Sequence, residues 1–230
     1  MKTIKKQEAL ERIRRYIDRN VSFQRSISFL LEQLNCEIYL TGSSIRHAIL
    51  EEGIYSDCDL IIQNNVTQLQ ELSLRSSLKL AKNSYGDMRF AQDGVRFDVM
   101  SCMSSTELAV AKVLKTFDFS VNQVACELRS GKIIDPCGGV ADILQGKLGV
   151  NKPAWLYVSD RLLINQFSRL LEILENEKFF SISKQDSEFL LEFVLPRVSE
   201  ISADVVSRRW PLGKESLLSS IQGVLGAGFN

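Results

Sequence analysis

The chain has 230 residues, 45% hydrophobic and 24% charged, a composition that supports a buried core over one or two domains and excludes disorder over most of the length. Its 28 basic and 28 acidic residues give zero formal net charge, which excludes a global electrostatic pull toward nucleic acid and leaves any such contact to a local patch. No stretch is apolar enough to span a bilayer, no secretory-type apolar run opens the chain, and the five cysteines are odd in number without CxxC spacing; a cytoplasmic protein with no membrane contact, disulfide framework or zinc site is expected.

Residues 1–35 read as an N-terminal helical extension. Its basic residues Lys2, Lys5, Lys6, Arg12, Arg14 and Arg15 alternate with Glu8 and Glu11, the pattern of a solvated helix face. Apolar residues from Glu8 to Leu34 recur at three- and four-residue steps, with a break expected near Asn20 to Ser22. Cys36 to Thr41 predicts a strand, and Gly42-Ser43-Ser44 ends it. Ser43 or Ser44 is the natural N-cap of a helix over Ile45 to Leu50, which carries the single histidine, His47, in a structural role. Asp59 to Gln63 predicts a second strand entered through Asp57 and Cys58, and Val66 to Ala81 a helix.

The pattern then turns to hairpins. Met88 to Ala91 and Val95 to Cys102 flank Gln92-Asp93-Gly94. After a helix over Thr106 to Lys115, strands over Phe119 to Leu128 and Lys132 to Ile134 flank Arg129-Ser130-Gly131. Asp135-Pro136-Cys137-Gly138-Gly139 is a turn into a helix at Val140 to Leu144. From Ser159 onward no strand is expected; helices are placed at Asp160 to Glu177, Lys184 to Phe193 and Ser199 to Arg208, and Gly223 to Asn230 is expected to fray. The fold class is α+β: a mixed-sheet head over 36–150 with flanking helices, then a small helical domain over 151–230.

Strand alternation sends Asp57 and Asp59 to one face and Cys58 to the other. Two adjacent carboxylates repel unless a cation neutralises them, and magnesium (or manganese), an oxygen-seeking ion that keeps open positions for phosphate and water, suits the pair. By itself an Asp-x-Asp reads more often as two solvated loop acids than as a metal site. Context strengthens it: the Gly42-Ser43-Ser44 turn offers helix N-terminal amides and hydroxyls suited to phosphate. Arg96, Asp98 and Met100 share one face of a strand, so Asp98 is either solvated on a polar face or a third metal-facing carboxylate.

Gly42-Ser43-Ser44-Ile45-Arg46 followed by Asp57-Cys58-Asp59-Leu60 resembles the opening signature of the poly(A) polymerase and tRNA nucleotidyltransferase head family, class II CCA-adding type, in the polymerase-β-like superfamily. Asp118-Phe119-Ser120-Val121-Asn122 resembles the family's Asp-Phe-Thr-Ile-Asn pattern, and Asp135 to Asp142 its Asp-Pro-Phe-Gly-Gly-x-x-Asp pattern, all in family order over 36 to 148; Ser159-Asp160 and the helices behind it resemble the neck. The resemblance implies transfer of a nucleoside monophosphate from a triphosphate to an RNA 3′ hydroxyl, tRNA included. Asp57 and Asp59 would bind magnesium as catalytic ligands and Asp98 would assist. Gly42, Ser43, Ser44, Arg46, Lys115, Asp118, Asn122 and Asp160 would line the nucleotide, while Asp135 and Asp142 would be architectural.

Three departures follow. Thr116 and Phe117 stand where the family usually has two arginines, with Lys115 as a partial substitute. Leu163 stands where the neck's base-reading arginine would be, and Arg161 points elsewhere on the helix. The family's longer tRNA-gripping body and tail are not expected. An active nucleotidyltransferase is therefore weighed against a catalytically weakened relative that binds nucleotide or RNA as a regulator. The Leu170, Leu171, Ile173 and Leu174 stripe leaves a homodimer open, although such stripes usually face their own core.

Overall fold

The computed structural model describes residues 2–51, 57–63, 65–76, 78–83, 86–102, 106–176, 180–208 and 210–226. They pack as two compact units: Met1–Lys115 with Val121–Leu144, and Thr116–Ser120 with Gln145–Asn230.

In the first unit, helices α1 (Lys2–Arg19) and α2 (Val21–Gln33) are separated at Asn20, whose Oδ1 accepts the Phe23 amide at 3.0 Å and caps α2. Phe23, Ile27 and Leu30 of α2 are buried, and the Phe23 ring lies 6.3 Å from that of Phe97. β1 (Ile38–Thr41), α3 (Gly42–Leu50), β2 (Asp57–Gln63), α4 (Asn65–Arg75), β3 (Ala81–Lys82), β4 (Met88–Gln92), β5 (Val95–Cys102) and α5 (Glu107–Leu114) follow. A 3₁₀ turn at Ser120–Asn122, β6 (Ala125–Glu127), β7 (Ile133–Ile134) and α6 (Gly139–Gln145) complete the series. The seven strands form one sheet in the order β3-β4-β5-β2-β1-β6-β7, antiparallel throughout except for the central β2–β5 pair. The sheet is mixed and helix-flanked, as the α+β reading expects.

Local chemistry explains the turns. Asp93 and Gly94 both have positive φ, as a two-residue hairpin turn of the type that matches strand twist requires. The β6–β7 turn is pinned by Glu127, whose carboxylate accepts the amides of Arg129 (3.1 Å) and Ser130 (2.5 Å). Asp135 Oδ1 accepts the Gly139 amide at 2.6 Å at the start of α6, an architectural role.

The second unit holds β8 (Lys147–Leu148), α7 (Lys152–Leu156), α8 (Asp160–Asn176), β9 (Ser181–Ile182), α9 (Lys184–Phe189), a π-helical turn at Leu190–Val194, α10 (Leu195–Glu200), α11 (Ala203–Ser207) and α12 (Lys214–Gly226). Its core is a chain of rings in edge-to-face contact: Phe119 lies 5.6 Å from Trp155, and Trp155 lies 4.9 Å from Phe167. Leu170, Leu171 and Ile173 of the apolar stripe are also buried. Among the described residues, no helix is long and apolar enough to cross a membrane.

Several expected elements differ. The helix expected to reach Ala81 ends at Arg75, and Ala81–Lys82 instead pairs with Arg89 and Met88. The strand expected over Phe119 to Leu128 shrinks to Ala125–Glu127, because Phe119 bridges Val150 and the Ser120 amide donates to the Gly149 carbonyl at 2.9 Å. Among the described residues beyond 159 there is one strand, β9; at two residues it is too short to show alternation, and its pairing with Lys147–Leu148 creates it. Gly223 to Gly226 is the last turn of α12 rather than a frayed end, while 227–230 and Glu177 lie outside the described residues.

Candidate active site

The sheet brings the three predicted carboxylates together. Asp57 and Asp59 enter β2 two residues apart, and Asp59 is the register partner of Asp98 on parallel β5. Same-face neighbours along a strand are about 6.6 Å apart and adjacent strands about 4.8 Å apart. Cys58, between the two aspartates, faces the other way and is buried; burial pushes its thiol up to about 12, so it offers no nucleophile.

On the other side of Asp59 lies β1, where Thr41 is its register partner, and the chain then turns into α3. Gly42 makes this turn at φ +66°. A Cβ on Gly42 would stand 2.3 Å from Asp59 Oδ2, so only glycine lets helix and carboxylate meet here. The expected caps Ser43 and Ser44 are instead inside the first turn, and Thr41 is the N-cap. The Thr41 hydroxyl donates to the Val124 carbonyl at 2.7 Å, and the Ser44 hydroxyl to the Asp57 carbonyl at 3.3 Å, tying both ends of the site to the sheet. Ser43 remains partly exposed at the helix start.

Two arginines absent from the predicted site share it. Arg89 Nε and Nη2 donate to the two Asp98 oxygens, each at 2.6 Å, and Arg96 grips Asp57 through the same two nitrogens. Hydrogen bonding to these carboxylates holds both guanidiniums above their ordinary pKa range. The Arg89 pairing follows from the two-residue turn at Asp93-Gly94, which sets Gln92 opposite Val95 and hence Arg89 opposite Asp98. The Arg96 pairing needs the parallel β2–β5 register, for which no local signal exists. Among the described residues, no group of three His, Cys, Asp or Glu is arranged to hold a metal ion.

The predicted nucleotide-binding residues divide. Arg46, on α3, is buried and donates from Nη1 to Asn122 Oδ1 at 2.6 Å, linking the helix to the 3₁₀ turn. Lys115 is exposed at the end of α5. Asp118 and Asp160 belong to the second unit. Asp118 is buried: its Oδ2 accepts Arg169 Nη1 at 2.5 Å, and its backbone carbonyl accepts Trp155 Nε1 at 3.2 Å. Asp160 is exposed at the start of α8, as is Arg161, whereas Leu163 is fully buried.

Comparison of the sequence with protein-family models and with curated proteins finds no match. Solved structures do match. The Thermotoga maritima CCA-adding enzyme complexed with tRNA superposes over 83% of this chain and 44% of its own, with 21% identity and a TM-score of 0.57. An apo CCA-adding enzyme aligns over 86% and 53%, at 19% identity and a TM-score of 0.63. A tRNA nucleotidyltransferase complexed with a primer tRNA and an incoming ATP analogue aligns over 87% and 60%, at 15% identity and a TM-score of 0.64. The chain therefore spans between 44% and 60% of the length of these three structures. The fold of this chain is that of a CCA-adding-type nucleotidyltransferase head.

Proposed function

We propose that the protein is a metal-dependent nucleotidyltransferase that moves a nucleoside monophosphate from a triphosphate to a hydroxyl acceptor, the 3′ end of an RNA and tRNA foremost. One observation carries this reading: Asp57, Asp59 and Asp98 share one sheet face directly beside the start of α3. The likeness to solved structures complexed with tRNA, CTP and an ATP analogue supports the substrate classes. In this reading residues 36–150 form the catalytic head, 1–35 an extension, and 151–230 a neck-like domain.

The donor set is all carboxylate oxygen, which suits magnesium or manganese once Arg96 and Arg89 release Asp57 and Asp98. A bound divalent ion would polarise the phosphoryl group and lower the pKa of the attacking hydroxyl. Asp57 and Asp59 would hold it, with Asp98 completing the set. The α3 amides at Gly42, Ser43 and Ser44 would receive triphosphate oxygens, for which a helix N-terminus is suited. Arg46 and Asn122 would brace that helix from below through their mutual hydrogen bond.

The test supplies each labelled nucleoside triphosphate separately with magnesium and total cellular RNA. Label on tRNA ends supports the reading in full, and label on other RNA changes the acceptor. A second reading, a catalytically weakened nucleotide- or RNA-binding regulator, rests on the Arg96–Asp57 and Arg89–Asp98 pairs and on buried Leu163. It is favoured if the protein binds these ligands without turnover, or if Asp57→Ala leaves any incorporation unchanged.

A further inference from the structure

Resting on the reading just given, we propose that Arg89 and Arg96 couple cation entry to polyphosphate binding: they hold Asp98 and Asp57 in the free protein and pass to phosphate oxygens when a cation takes those carboxylates. The site then loads cation and triphosphate together, and a cation alone binds poorly.

Three observations lead here. Both guanidiniums use their paired Nε and Nη2 donors on a carboxylate, the fork geometry that also fits phosphate oxygens. Arg96 and Arg89 stand on adjacent strands β5 and β4 of the carboxylate-bearing face, with register fixed by the Asp93-Gly94 turn, so a released side chain stays beside the site. Finally, the pairs differ in exposure. The Arg96 and Asp57 side chains are 50% and 47% exposed, whereas Arg89 and Asp98 are 36% and 18% exposed. Exposed ion pairs are weak and exchange readily, so Arg96 is the first to let go and Arg89 the tighter hold.

Electrostatics makes the exchange conditional. A cation that displaces both guanidiniums leaves two positive groups beside a third positive centre, a repulsive arrangement among partly buried side chains. A triphosphate supplies the negative charge that relieves it. The coupling is reciprocal, so cation must also tighten triphosphate binding.

The test uses the full chain, Mn2+ and inorganic tripolyphosphate. Calorimetry measures Mn2+ affinity with no anion present, and thermal unfolding is followed with Mn2+, tripolyphosphate, or both. Wild type should show weak Mn2+ binding and a thermal shift with both ligands that exceeds the sum of the separate shifts. Arg96→Gln should bind Mn2+ alone about fivefold more tightly, the scale of an exposed ion pair. The Arg89→Gln/Arg96→Gln double variant should tighten further and lose the excess shift. Should the double variant fail to fold, Arg96→Lys, which keeps the charge but not the fork, should retain weak Mn2+ binding and lose part of the excess. Equal Mn2+ affinity in wild type and Arg96→Gln, or additive shifts in wild type, overturns the coupling while leaving the metal site standing. Absence of any Mn2+ or tripolyphosphate response in every variant overturns both the coupling and the nucleotidyltransferase reading.

Discussion

Gly42 and Asp59 meet so closely that the space a Cβ would need on Gly42 is filled by Asp59 Oδ2, 2.3 Å away. The helix that would receive phosphate and the carboxylate that would hold metal are thereby set by one contact between a turn and a strand.

Gly42→Ala should therefore damage the site twice. The positive φ costs a non-glycine residue about 1–3 kcal/mol, and the added methyl must push the Asp59 carboxylate aside. Turnover should fall about 100-fold, the scale of an ångström-level misplacement. Steady-state kinetics and thermal unfolding on the same preparation check both effects.

Leu163→Arg tests whether restoring the arginine of the neck pattern could restore base reading. Leu163 is fully buried on α8, one turn before Phe167. A guanidinium there lacks water, and the substitution should cost at least about 3 kcal/mol without conferring nucleotide preference. Urea unfolding reports the cost. Arg161→Ala on the exposed side should stay within about 0.5 kcal/mol of wild type.

Asp118→Asn should act on stability more than on nucleotide affinity. The buried carboxylate accepts Arg169, and its neighbour's amide, Phe119 N, lies 3.1 Å from Oδ1. Loss of the charge should cost about 1–3 kcal/mol, toward the low end because half-exposed Arg169 can regain water. Denaturant unfolding compared with triphosphate titration separates the two roles.

Glu127 gives a pH signature. Burial pushes its carboxyl up, but hydrogen bonds from Ser130 and Arg129, with the Arg129 charge, outweigh this and hold it below the usual glutamate range. Its stabilisation is therefore complete above the unfolded-state pKa of about 4.3 and is lost as pH falls through the lower folded-state value. The stability gap between wild type and Glu127→Gln should be widest near neutral pH and should close on acidification below about pH 4. Urea unfolding at pH 7, 5 and 3.5 measures it; a gap that widened in acid would contradict the assignment.

How far the sequence reveals this molecule depends on how local each signal is. The break at Asn20, the Asp93-Gly94 hairpin and the Asp57–Cys58–Asp59 alternation are all legible, because capping, positive φ and strand pleat act within a few residues. The partnership of Asp59 with Asp98 is not, since it depends on a parallel pairing across the α4, β3 and β4 stretch. Phe119 reads as strand by composition, yet its bonds run to Val150 and its ring to Trp155. α7 and α12 lie outside the expected helices although each carries a signal: Pro153 in the first turn of α7, and Leu217, Ile221 and Leu225 at four-residue steps along α12. Gly223 and Gly226 in the same segment outweigh that period when glycine is taken as a breaker, and tertiary burial of the leucines restores it.

The placement of Thr116–Ser120 in the second unit, although Lys115 before it and Val121 after it belong to the first, has a consequence for how the chain can be made. During synthesis these five residues leave the ribosome well before Val150, Trp155 and Arg169, the residues that will receive them, and must wait. Meanwhile, β6 and β7 emerge and complete the first sheet. Severing the chain near residue 150 would hand Asp118 and Phe119 to the wrong fragment and leave Trp155 and Arg169 without them, so the second unit should fold only when the two pieces are mixed.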